Sequence, residues 1–172
     1  MMEIWDLYNK NRGITGQTMV RGEAVPKSCY HLVVHVWIHD GNGRYLISQR
    51  SKSRNKNPLL WECVGGSVLA GEDSISAALR ETKEEVGVKL SPSNGKLLFS
   101  KLRDIINGVT FNDIVDVWLF KYNGDVELKN ATTDEVEQVC WMTLDEIREL
   151  WDKGFFVPTL QYFFTEVNGH IN

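Results

Sequence analysis

The stretch GGSVLAGEDSISAALRETKEEVGV, from Gly65 to Val88, constrains this chain more than any other. Asp73 or Ser74 can cap a helix, its Ala-, Leu- and Glu-rich interior can propagate it, and Gly87 can stop it. Ile75, Leu79, Thr82 and Val86 recur at helical spacing as a stripe to be buried. Glu81, Glu84 and Glu85 stand at i, i+3 and i+4 and share the opposite face. Small Ala77 and Ala78, one turn before Glu81, are expected to leave room there for a ligand. A glutamate-rich helix is ordinarily a solvated face. Here, like charges at this spacing cost a few tenths of a kcal/mol per pair, and only Arg80 and Lys83 lie within the turn to offset them. A bound cation resolves the conflict. Hard divalent ions such as Mg2+ take oxygen ligands and complete their shell with water and substrate phosphates.

With 172 residues, 42% of them hydrophobic, the chain can bury one sizeable core. It reads as a single domain over 1–172, with residues 1–28 an N-terminal extension packed on it and the nearest thing to a boundary at Pro26. Tyr30–Ile38 and Tyr45–Gln49 flank Asp40-Gly41-Asn42-Gly43 as a hairpin. RSKSRNKNPL then carries Arg50, Lys52, Arg54 and Lys56 without one acid, a solvated loop suited to local phosphate attraction, before a short strand at Trp61–Val64. Arg50 and Arg54 are the substrate-binding candidates. KLLFSKLRDII and VTFNDIVDVWLFKY, split by Asn107-Gly108, form another strand pair. EVEQVCWM resembles a final strand, TLDEIRELWDK a helix capped by Thr143, and PTLQYFFTEV a closing helix begun by Pro158. Interleaved strands and helices predict an α/β or α+β class.

A net charge of −4 and a pI near 5.6 argue against a general nucleic-acid coat, so any phosphate recognition must be local. Cys29, Cys63 and Cys140 are odd in number and have no paired spacing, which suits a reducing compartment. The opening MMEIWDLYNK lacks the pattern of a secretory signal, and no apolar run approaches membrane-spanning length. The expectation is a soluble, cytoplasmic protein.

Gly66, five residues, Glu72, seven residues, then RETKEEVGV from Arg80 to Val88 resembles the Nudix box. Only Thr82 departs from it, standing where the family has a bulky aliphatic residue. The resemblance implies an α/β Nudix fold, an α/β/α sandwich with a mixed β-sheet flanked by helices. It implies Mg2+-dependent hydrolysis, with Mn2+ a substitute, of a diphosphate linkage in a nucleoside diphosphate derivative or related organic diphosphate. It also implies that Glu84 and Glu85 bind the metal, that the Gly65 carbonyl helps, and that Glu81 is a further ligand or orients and deprotonates water. Arg80 would hold Glu81, and Glu72 would stabilise the loop. Family members often add a later acid, for which Glu135 is favoured here over Glu137. The expected partner is a small-molecule diphosphate, with no membrane and no stable nucleic-acid complex; a homodimer stays open.

The segment from Arg21 to Ser51 is similar to the branch of this superfamily containing isopentenyl-diphosphate isomerases, where His31 matches a metal-binding histidine. Their catalytic cysteine is missing, since Val64-Gly65-Gly66-Ser67 occupies the corresponding stretch. Cys63 is expected to be a small buried side chain and His31 a satisfied core group. A non-catalytic nucleotide-binding module is the other alternative, disfavoured by the intact acids. Trp61, Phe111, Trp118 and Tyr122 could stack a base, but at strand spacing core packing is the stronger expectation.

Overall fold

The computed structural model of the chain describes residues 2–106 and 108–170. Two antiparallel strands come first, β1 (Ile4–Tyr8) and β2 (Ile14–Val20), forming a separate two-stranded sheet. The main sheet has seven strands: β3 (His31–His39), β4 (Arg44–Arg50), β5 (Trp61–Glu62), β6 (Val64–Ser67), β7 (Gly95–Ile106), β8 (Val109–Lys121) and β9 (Val136–Thr143). Helix α1 spans Ser74–Val86 and α2 Leu144–Asp152. The sheet is mixed, because β3 runs parallel to β8 while β3 and β6, β4 and β9, and β7 and β8 pair antiparallel.

Alternation along β3 sorts the two layers. Leu32, Val34, Val36 and Ile38 face one core with Ala77, Ala78 and Val86 of α1. On the other side Trp37 packs with Ile47, Val117, Ile147 of α2, Phe156, Phe163 and Val167. The result is the α/β/α sandwich expected. The β1–β2 hairpin builds a smaller cluster from Trp5, Leu7 and Met19, with Val25, Cys29 and Leu69 against it. Residues Tyr8 and Tyr30 exchange backbone hydrogen bonds and so tie it to the start of β3.

Local chemistry explains most element ends. Asp73, rather than Ser74, caps α1, accepting from the Ser76 amide at 2.9 Å; Gly87 closes it in the left-handed region at φ 71°. Thr143 and Glu146 form a reciprocal capping box on α2. Asp40 Oδ1 accepts from the amides of Asn42 and Arg44, organising the turn between β3 and β4. Asn107 of the expected β7–β8 turn lies outside the described residues.

Three expectations need correction. The strand expected at Trp61–Val64 breaks at Cys63 and resumes as β6 through Ser67, so Gly66 lies within a strand. The closing helix is not one regular element: Pro158–Leu160 is a 3-10 turn and Phe163–Val167 a π-type turn. Finally, Ala77 and Ala78 leave no room for a ligand, because both are fully buried against the sheet.

Candidate active site

Helix α1 lies over β6, and this pairing creates the site. Gly65 and Gly66 hydrogen-bond with β3 opposite His35 and Val34, so their backbone passes directly beneath the helix. A Cβ on Gly66 would fall inside contact distance of the Glu81 carboxylate. Gly66 is needed for that closeness, not for a turn. Thr82, the departure from the family pattern, is fully buried and donates its hydroxyl back to the Ala78 carbonyl at 2.7 Å, so the helix absorbs it.

Arg80 is the hub of the cluster. Its Nε and Nη2 donate to the two Glu72 oxygens, each at 2.9 Å, and Nη2 also reaches the Ser67 carbonyl. Its Nη1 donates to Glu81 at 2.9 Å and to Glu84 at 3.0 Å. Glu72 further accepts from the Leu69 amide at 3.1 Å, which joins the loop before α1 to the same arginine. Arg80 thus contacts both the loop acid Glu72 and the helix acids Glu81 and Glu84.

Glu85 faces inward rather than away from the buried stripe. It is 7% exposed, receives one long hydrogen bond from the Gly65 amide at 3.3 Å, and has no cationic partner among the described residues. Burial, reinforced by Glu62, Glu81 and Glu135, pushes its carboxyl well above the usual range. Burial likewise pushes Glu81 up to about 7, with Arg80 opposing and Glu84 and Glu135 adding.

The segment before β9 delivers one more acid. Amides of Thr132 and Thr133 donate to the Glu84 carbonyl, and the Ser51 amide donates to the Glu135 carbonyl at 2.8 Å. Glu135 consequently lines the same cavity of about 300 Å³ as Gly65, Arg80, Glu81, Glu84 and Glu85. Glu137 is exposed and is not part of that lining. Arg50 and Arg54 line it as well, but not as members of a purely solvated basic loop. Arg50 pairs with Glu62 at 2.5 Å and Arg54 with Glu135 at 2.5 Å, acids distant in sequence.

Sequence reasoning missed Glu62, whose carboxyl burial pushes up despite Arg50. An acid in a short apolar strand just before the glycine pair was the available signal. It also missed Glu3 and Arg21, which reach the cavity from the β1–β2 hairpin and its exit and carry no local motif. Cys63 is buried, as expected, and burial pushes its thiol up beside Glu62 and Glu85. His31 is not the satisfied core histidine expected: it stacks on Trp5, and its buried Nδ1 has no partner among the described residues. Only His35 of the three β3 histidines lines the cavity, and its Nδ1 lies 2.6 Å from the Tyr162 hydroxyl. Burial lowers its pKa to about 3, so it is neutral. Trp61, Phe111, Trp118 and Tyr122 are all absent from that lining, and Trp118 instead donates to Ser74 within the core.

The donor set around Glu81, Glu84, Glu85 and Glu135 is entirely oxygen, which suits a hard divalent cation. Among the described residues no three acids, histidines or cysteines already close on one point, because Arg80 holds Glu81 and Glu84 while Arg54 holds Glu135. An open set of this kind fits an ion whose shell is completed by water and phosphate oxygens, not a closed structural cage.

The class of fold is a mixed α/β/α sandwich whose first helix presents a cluster of carboxylates to a cavity. Residues 30–161 match the NUDIX domain family. An uncharacterized Nudix hydrolase from Listeria innocua is 39% identical over 166 residues, covering 95% of this chain and 91% of that one. The chain belongs to the Nudix hydrolase family and is an enzyme of its pyrophosphohydrolase class. Among solved structures, DR0079 from Deinococcus radiodurans superposes with a TM-score of 0.72 at 20% identity, covering 98% of this chain and 99% of that one. A bifunctional NMN adenylyltransferase/ADP ribose pyrophosphatase from Francisella tularensis, complexed with AMP and a Mn ion, gives 0.66 at 20% identity, covering 88% and 44%.

Proposed function

We propose that this enzyme uses Mg2+, with Mn2+ as a substitute, to hydrolyse the diphosphate linkage of a nucleoside diphosphate derivative or a related organic diphosphate. The observation that carries this reading is Glu85, a buried carboxylate without a cationic partner among the described residues and surrounded by other acids. Such a group is costly unless a cation joins it. The AMP and Mn ion in the Francisella protein support a nucleotide and a divalent metal as the class of ligand.

Glu84, Glu85, Glu135 and the Gly65 carbonyl would hold the metal. When bound, it neutralises charge on the phosphate oxygens and acidifies coordinated water. Glu81, oriented by Arg80, accepts the proton of the attacking water. The water oxygen bonds to one phosphorus, the bridging P–O bond breaks, and the departing phosphate carries the electron pair. Arg50 and Arg54 contact the phosphates from the rim. Little covalent work falls to the protein, so positioning and charge neutralisation supply most of the catalysis.

A panel of nucleoside triphosphates, nucleotide sugars, dinucleotides, thiamine and isoprenoid diphosphates, assayed with Mg2+ for phosphate or pyrophosphate release, tests the reading. At least one anhydride should be cleaved; failure across the whole panel contradicts it.

A further inference from the structure

The carboxylate chamber opens beside a second cavity, of about 400 Å³, lined by Arg21, Arg50, Ser53, Arg54, Asn55, Lys56, Asp134 and Glu135. The two cavities share Arg21, Arg50, Arg54 and Glu135, so three arginines form the wall between them. Glu3 and Glu62, the acid partners of Arg21 and Arg50, line the inner chamber and not the outer one. The outer cavity thus has four cationic side chains against two acids.

The guanidinium groups are incompletely used. Arg21 spends one nitrogen, Nη1, on Glu3 at 2.7 Å. Arg54 spends Nη1 on Glu135, and Arg50 spends Nη1 on Glu62 and Nε on the Lys56 carbonyl. Each arginine has five N–H donors, and among the described contacts Nη2 of all three makes none with the protein. A forked donor beside others, at the mouth of a cavity, is matched to phosphate oxygens. Ser53 and Asn55 add neutral hydrogen-bonding side chains.

From this geometry we infer that the outer cavity is a second anion subsite, seating a phosphate monoester on the non-reacting side of the substrate, with Arg21 as its specificity residue. Arg21 follows β2 and lies ahead of the family-matched residues 30–161, so this preference would come from outside the segment that the family model matches. The inference rests on the proposed diphosphate hydrolysis only for which end of the substrate reacts. It specifies the substrate class: an organic diphosphate bearing a further phosphate remote from the scissile bond. Arg21 exchanges Glu3 for that phosphate when the substrate binds.

Calorimetric titration of inorganic phosphate into the EDTA-treated 172-residue chain tests the subsite without any turnover. One saturable site is expected, weakened at least fivefold by Arg21→Gln, partly restored by Arg21→Lys, and tightened by Glu3→Gln, which removes the competing carboxylate. Two matched pairs then test the source of the phosphate: nicotinamide adenine dinucleotide with and without its 2′-phosphate, and coenzyme A with and without its 3′-phosphate. The phosphorylated member of at least one pair should bind more tightly, and Arg21→Gln should bring that ratio towards one. Absence of saturable phosphate binding, or binding indifferent to Arg21→Gln, overturns the subsite. Phosphate binding with no preference in either pair overturns the substrate assignment. Preference without hydrolysis of any anhydride would fault the proposed reaction and leave this inference standing.

Discussion

Arg80 bonds to Glu72, Glu81, Glu84 and the Ser67 carbonyl at once, so its planar fork, and not its charge alone, sets the geometry of the acids. Arg80→Lys keeps the charge and loses the fork. Turnover should fall by about 100-fold with little change in KM, since misplacing a catalytic group costs rate more than binding; steady-state kinetics on any cleaved substrate checks this, and a pure rise in KM contradicts it. Gly66→Ala acts on the same carboxylate from below. Its methyl group would displace Glu81, and turnover should drop by at least about tenfold with the circular dichroism spectrum unchanged. At this scale the spacing of the acids and Arg80 was legible, because one helix carries them. Glu3 and Arg21 were not, because each reaches the cavity through tertiary packing that no local pattern encodes, and Glu62 had only its place just before the glycine pair as a signal.

Among the elements, the β1–β2 hairpin is joined to the main sheet by an ion pair as well as by the Tyr8–Tyr30 backbone bonds. Arg12, in its turn, forks onto both oxygens of Asp116 on β8, and Ser100 of β7 donates to Asp116 at 2.6 Å. Burial alone would raise the Asp116 pKa, but the hydrogen bonds from Arg12, Ser100 and Ser74 outweigh it and hold the carboxyl below its ordinary value. A depressed folded-state pKa means that the unfolded chain binds more protons in acid. The contribution to stability is therefore complete above about pH 4 and lost as pH falls through the folded value. Asp116→Asn should cost roughly 1–3 kcal/mol at pH 7, discounted because Arg12 is partly exposed, and should flatten the acid limb of Tm against pH. An unchanged acid limb would remove this anchor. Strands with strong alternation and helices with caps were readable from the chain. The closing segment was not: Phe163 and Val167 seek the core between aromatic neighbours, and that packing overrides a regular helical repeat. The β1–β2 hairpin carried no reading beyond an extension, since β2 is mostly exposed and lacks alternation.

For the whole molecule, one sandwich places the apolar layers on both sheet faces and leaves the acids at the junction of α1, β6 and the segment before β9. We propose that the residues at this junction serve hydrolysis and not allylic isomerisation. No cysteine stands at Val64–Ser67, and the Cys63 thiol is buried and held protonated beside Glu62 and Glu85. Incubation with isopentenyl diphosphate and Mg2+ in deuterated water should leave the recovered C5 diphosphates free of deuterium, and incorporation would overturn the distinction. The family's fold was legible through the resemblance of the box, whose glycine, arginine and glutamates meet where α1 lies over β6. The substrate was not, because the aromatic residues considered for base stacking lie elsewhere while the outer arginines are gathered from separate elements. The central claim is that a divalent cation held by the α1 carboxylates drives anhydride hydrolysis. Its most direct test is product release in 18O-labelled water by wild type and Glu85→Gln, each with Mg2+ and with excess EDTA. Wild type with Mg2+ should place 18O in one phosphate product, while EDTA or Glu85→Gln should remove nearly all turnover with the folded spectrum intact. Turnover that survives both would contradict it.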